Sequence, residues 1–166
     1  FSRKKAIAII EDEFRTNINN IFSQFSEPIA AASIAQVHFA KIKSSNTEID
    51  VAVKVLRPEI EKIINQEMER LEWLTTFMEN FTEFQRLRPN SIIKKAKEVI
   101  KFELDLRYEA AAASELSENT NMDESFYVPT VYWDKVSQKI LTMEKIIGVP
   151  ADKIDELNEK KVNKKQ

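Results

Sequence analysis

Glycine is nearly absent: Gly148 is the single one in 166 residues, where average usage of roughly 7% would supply about a dozen. Rossmann and Walker phosphate loops need glycine at several positions for their tight turns and close approach to phosphate, so both are excluded. Cysteine is missing altogether, which removes disulfide frameworks and thiolate metal sites and is compatible with a reducing compartment. One histidine, His38, cannot build a multi-histidine site. No apolar run reaches the ~18 residues that suggest a membrane span; the longest, Pro28 to Ala40, is interrupted by Ser33, Gln36 and His38. A formal net charge of −2 gives no general drive toward nucleic acid.

What is present suffices for one domain. With 43% hydrophobic and 31% charged residues, a chain of this length forms one core and falls short of two. Ile7, Ile10, Phe14, Ile18 and Ile21 recur at helical steps, so Arg3 to Phe22 reads as an amphipathic helix. Gln36 to Lys43 and Ile49 to Leu56 read as a hairpin around the turn Ser44-Ser45-Asn46-Thr47. The β-branched run of the second strand suggests burial on both faces. Ile60, Ile64, Met68, Leu71, Leu74, Met78 and Phe81 carry a helix on from Pro58. After Pro89-Asn90-Ser91, a second long helix runs to about Ser117, with Asn90 or Ser91 as its cap. Tyr127 to Tyr132 and Lys139 to Ile146 read as strands joined by Asp134 to Ser137, and Gly148-Val149-Pro150 ends the sheet. The charged tail from Asp152 reads as a short fraying helix.

Pro28 to His38 followed by Val51-Ala52-Val53-Lys54-Val55 is the most informative stretch. A protein kinase covers the ATP phosphates with G-x-G-x-x-G-x-V and then places a lysine on a strand reading V-A-I-K. Here Ala30, Ala32 and Ala35 take the glycine positions and Val37 follows. Alanine stays small, but its Cβ removes the positive-φ freedom of glycine, so the loop should be stiffer. Lys54, in an apolar strand, needs a partner.

The second long helix offers one. At 100° per residue, Glu109 lies about 20° from Phe102 and about 60° from Leu106, within the apolar stripe, so it should face the sheet and meet Lys54. Asp105, about 40° from Glu109, is placed to line the same cleft, whereas Glu103 is about 160° from Asp105 on an ideal helix. Glu103 has Arg107 as an alternative partner at i+4. His38, alone at the start of a strand, reads as a structural donor.

Taken together, PIAAASIAQVH, VAVKVLRP, ELDLRYEAAAASEL and VPTVYWDKVSQKILTMEKIIG resemble the UbiB family of atypical kinases, also called the activity-of-bc-one family, over about Phe14 to Pro150. The resemblance implies an α+β fold: a protein-kinase-like N-lobe with an antiparallel sheet of about five strands flanked by long helices. It divides the chain into an N-terminal helical segment (1–26), the lobe (27–150, with inserted helix 58–81 and carboxylate-bearing helix 91–117) and a charged tail (151–166) leading toward a C-lobe. It implies that Lys54 contacts the α/β-phosphates and that Glu109 holds it. Glu103 and Asp105 match an E-x-D motif at the active site, against the helical geometry that turns Glu103 away. Either the helix is irregular there or Glu103 acts on a second surface. Ala30, Ala31, Ala32 and Ser33 match the loop over the phosphates, and Val37 and Ala52 the apolar lid over adenine. Met143 matches the gatekeeper; Glu144 and Ile146 match the hinge, acting through backbone atoms.

The implied ligand is ATP or ADP with Mg²⁺, and the implied role is ubiquinone biosynthesis. Quinone-biosynthesis proteins or a lipid precursor would be partners, and the location cytoplasmic or peripheral to the inner membrane. The family's K-x-G-Q helix is expected before Phe1, and its catalytic-loop aspartate and asparagine and D-F-G metal ligand after Gln166. Phosphoryl transfer needs those ligands, so the chain alone is expected to bind nucleotide weakly without turnover. The rival reading is a non-catalytic helical interaction module. A quinone-ring hydroxylase, a name sometimes attached to the family, finds no flavin loop, haem ligand or iron triad here.

Overall fold

The computed structural model describes residues 1–44, 47–123 and 125–148. Ser45 and Asn46 of the expected hairpin turn, Val149 and Pro150, and the tail from Asp152 lie outside the described residues. In chain order the elements are α1 (Arg3–Phe14), α2 (Ile18–Ile21), β1 (Gln24–Ala31), β2 (Ala35–Ser44), β3 (Thr47–Leu56), α3 (Ile60–Met78), α4 (Thr82–Gln85), α5 (Pro89–Glu103), α6 (Leu106–Asn119), a 3-10 turn at Trp133–Lys135, and β4 (Ile140–Glu144). The fold is α+β.

The sheet is antiparallel throughout, in the order β1-β2-β3-β4. Its register sorts the side chains onto two faces, because successive residues of a strand point to opposite sides. Val51, Val53, Val55 and Ile140 face one way and pack with Ala6 and Ile10 of α1 and with Phe22, Phe25, Ala40 and Ile42. Ala35, Leu56 and Leu141 face the other way and pack with Leu106 and Ala110 of α6. β3 is therefore buried on both faces only at its end: Val51, Val53 and Val55 are fully buried, while Ala52 and Lys54 on the opposite face are half-buried. The β-branched run concealed an alternation, with valines on the buried face and Ala52 and Lys54 on the other.

Four expectations need correction. The N-terminal helix does not run to Phe22; Arg15 turns left-handed (φ 54°) and ends α1. Asn17 then caps the single turn α2, accepting from Asn19 N. The carboxylate-bearing helix of 91–117 is two helices, α5 and α6, parted at Leu104 and Asp105. The cap of α5 is Arg88 (φ 46°), not Asn90 or Ser91. Asn90 instead fastens α5 to α3, donating through Nδ2 to Glu79 Oε2 at 2.7 Å and accepting from Thr75 Oγ1.

Finally, the sheet has four strands among the described residues instead of about five. Tyr127 to Tyr132 is extended but forms only an isolated bridge, Val131 to Met143. Pro129 removes one ladder donor, and Thr130 N and Tyr127 Oη donate to the Glu144 carboxylate. β1, by contrast, begins earlier than the alanine run and accommodates Pro28 at a register irregularity, which an edge strand permits.

The face that α1 covers makes a direct prediction. Ile10 is fully buried there, and removing such a side chain costs about 2–5 kcal/mol. Urea unfolding of Ile10→Ala should show a loss in that range; a loss well under 1 kcal/mol would mean that α1 is not part of the core.

Candidate functional site

Two cross-strand rows that span β2, β3 and β4 lie on the second face of the sheet. Val37, Lys54 and Leu141 are register partners across β2, β3 and β4, and Phe39, Ala52 and Met143 form the next row. Within these two rows the residues other than Lys54 are apolar. Next to it lies α6, packed on the sheet through Leu106 and Ala110, and from its first turn Glu109 reaches Lys54. The Lys54 ammonium donates to both carboxylate oxygens, at 2.9 Å to Oε1 and 2.6 Å to Oε2. Side-chain exposure is 27% for Lys54 and 45% for Glu109. A pair this open to water contributes at most about 1 kcal/mol, so its value lies in fixing the ammonium position.

The break between α5 and α6 decides which carboxylate does what. Asp105 is the N-cap of α6: its Oδ1 accepts from Arg107 N, and its carboxylate takes both Arg107 Nε (2.9 Å) and Nη2 (2.6 Å). The Arg107 guanidinium holds the Asp105 carboxyl below the usual range, against the opposing effect of burial. Leu106 N donates to Gln138 O at 2.9 Å, which moors the start of α6 beside β4. Asp105 and Glu109 therefore serve different partners. Asp105 lines a cavity of about 400 Å³ with Lys97, Met68 and Tyr108, between α3, α5 and α6. Glu103 is exposed at the last residue of α5. The irregular helix, one of the two possibilities the motif left open, is what the chain adopts.

The alanine run is divided between strand and loop. Ala30 and Ala31 pair with Val37 and Gln36, and Ala32 N closes the loop on Ala35 O at 2.8 Å. Ala30, Ala31, Ala32 and Ser33 are all exposed. Positive φ among non-glycine residues occurs at Arg15, Glu59 and Arg88, so the loop turns without the conformations that glycine would open. One contributor escaped sequence reasoning. Arg57, present in the sequence only as a letter of VAVKVLRP, donates through Nε and Nη2 to Ala32 O at 3.1 and 2.9 Å. Its position two residues before Glu59 gives no local sign that it folds back.

At the far end of β4, Met143 packs with the Leu106–Leu141 cluster. The Glu144 N–H donates to Thr130 O at 2.8 Å. Its carboxylate accepts from Tyr127 Oη at 2.6 Å, and that bond holds the Glu144 carboxyl below its ordinary range. Ile146 is half exposed. His38 has the structural role expected: it is fully buried, donates from Nδ1 to Ser26 O and stacks on Phe25.

The model of the ABC1 atypical kinase-like domain matches residues 1–166. The chain belongs to that family. It is 39% and 41% identical to two Pseudomonas putida proteins and 38% identical to one from Pseudomonas entomophila, each named "Probable protein kinase UbiB". Those matches cover 99%, 90% and 99% of this chain. The chain spans about 30% of the length of those relatives. In ABC1 terms the sheet and its helices are a kinase-like N-lobe.

The cap of α6 is open to test by pH. A depressed carboxyl stabilises the fold above its unfolded pKa, near ~3.9, and the contribution disappears as pH falls through the folded value. Asp105→Ala should cost about 0.5–2 kcal/mol at neutral pH, with the gap to wild type closing below pH ~4. A gap that stays constant down to pH ~3 in denaturant titrations would rule the charged cap out.

Proposed function

We propose that this chain forms the nucleotide-binding lobe of an atypical kinase or ATPase that supports ubiquinone biosynthesis. The observation that carries the reading is the Lys54–Glu109 pair, set among the apolar residues Val37, Leu141, Ala52 and Met143 of the sheet beside the alanine loop. Lys54 contacts the α/β-phosphates, and Glu109 keeps its ammonium directed at them. Ala30 to Ser33 lie over the phosphates. Val37 and Ala52 cover adenine, Met143 is the gatekeeper, and the Glu144 carbonyl and Ile146 backbone read the base edge. Of the E-x-D residues, Asp105 acts through the helix start it caps, and Glu103 presents its carboxylate outward.

ATP or ADP would bring Mg²⁺ with it. Among the described residues no group of three or more His, Cys, Asp or Glu is gathered to hold a metal, so no Mg²⁺ ligand is assigned to them. The link to ubiquinone rests on the resemblance to the UbiB family, and with it the quinone-biosynthesis partners and a peripheral place at the inner membrane. No described helix is long and apolar enough to cross a membrane.

A second reading, the helical interaction module, is favoured by α3 and its following turn, where Trp73, Phe77 and Phe81 stand exposed in ring contact. Titration with MgADP and MgATP separates the two. On the nucleotide reading, Lys54→Ala weakens binding by tenfold or more while the melting temperature shifts little, because the pair contributes at most about 1 kcal/mol to folding. Equal affinity for the two proteins would hand the case to the interaction module.

A further inference from the structure

Arg57 leaves β3 three residues after Lys54, and its side chain returns to the alanine loop. Two of its guanidinium N–H groups converge on Ala32 O, and its backbone N–H donates to Ile34 O at 2.8 Å. The loop closes on itself through Ala32 N to Ala35 O. Arg57 therefore grips the tip from the strand that carries the lysine. A guanidinium fork is planar and loses little freedom per bond formed, which suits it to fixing a loop that lacks ladder partners.

Charge points the same way. The Lys54 ammonium is matched by Glu109, whereas no ion pair among the described residues engages Arg57. A phosphate chain entering beneath the loop meets a locally balanced lysine–glutamate pair and one guanidinium that no described carboxylate pairs. Guanidinium groups match phosphate oxygens in geometry as well as in sign.

We propose that Arg57 is a positioning residue for the phosphate end of this site. It sets the height of the alanine loop through Ala32 and supplies there the positive charge that Glu109 offsets at Lys54. The assignment rests on the nucleotide reading above.

The test combines amide hydrogen exchange over residues 31–35 with titrations of MgADP and of adenosine, on the full-length protein and its Arg57→Ala, Arg57→Gln and Arg57→Lys variants. Arg57→Ala should speed loop exchange about tenfold and weaken MgADP about tenfold, with adenosine affinity unchanged, which confines the effect to the phosphates. Arg57→Gln keeps a donor without the charge and should recover loop protection but not MgADP affinity. Arg57→Lys should recover part of the affinity. Unchanged loop exchange in Arg57→Ala, or equal weakening of MgADP and adenosine, would overturn the assignment while leaving the nucleotide reading in place. A wild-type protein that binds no nucleotide would instead remove that reading, and the role of Arg57 with it.

Discussion

For a glutamate on a helix to meet a lysine in the middle of a sheet, the helix must begin at the right place and lie at the right angle. Here both are set by the break at Leu104 and Asp105. If α5 continued unbroken, its apolar stripe would run on and α6 could not tilt independently onto the sheet. Asp105 ends that continuity by preferring the backbone N–H of Arg107 to a helical conformation of its own (φ −126°, ψ 98°). Short polar side chains of this kind compete with the helix ladder and so favour caps. Leu106 N then finds Gln138 O, and Leu106 and Ala110 close on Leu141 and Leu56. Glu109 arrives opposite Lys54 as a consequence.

The scarcity of glycine has its counterpart in the loop. With alanine at the positions where a nucleotide loop would carry glycine, the turn from β1 to β2 has few conformations to choose among. It is built from strand-like residues up to Ala31, a short connection, and strand again from Ala35. A loop with little freedom loses little on binding, but it cannot adjust to ligands of different length. Its position relative to Lys54 is correspondingly decisive, and that position is tied to the end of β3 by Arg57.

Much of this was legible in the residues. The hairpin of β2 and β3, the lysine on the second strand and the glutamate that faces it followed from period and spacing, because those are local properties that packing then reinforces. What was hidden is instructive. The helix break has no glycine or proline to mark it; it depends on an aspartate whose capping role competes with an otherwise regular apolar repeat. The expected strand at Tyr127 to Tyr132 has the composition of a strand, but Pro129 offers no N–H and the Thr130 N–H goes to the Glu144 side chain, so only Val131 bridges to β4. Arg57 acts across 25 residues of sequence, a distance at which no periodicity speaks.

The geometry also separates what builds the site from what uses it. α6 is held against the sheet by fully buried apolar contacts at Leu106, Ala110 and Leu141, which together outweigh an exposed ion pair. The Lys54–Glu109 contact is thus positioned by the fold without being needed to hold the fold together. An ammonium placed in this way is available to a ligand: an anion that binds it has little structure to displace, and only the partly hydrated glutamate to share it with. The same division applies at the loop, where backbone pairing shapes the turn and the Arg57 guanidinium donates to one carbonyl while engaging no ion pair among the described residues. Lys54 and Arg57 are thus both ordered before any ligand arrives, Lys54 by a carboxylate and Arg57 by a carbonyl, and positions fixed in advance cost no reorganisation on binding.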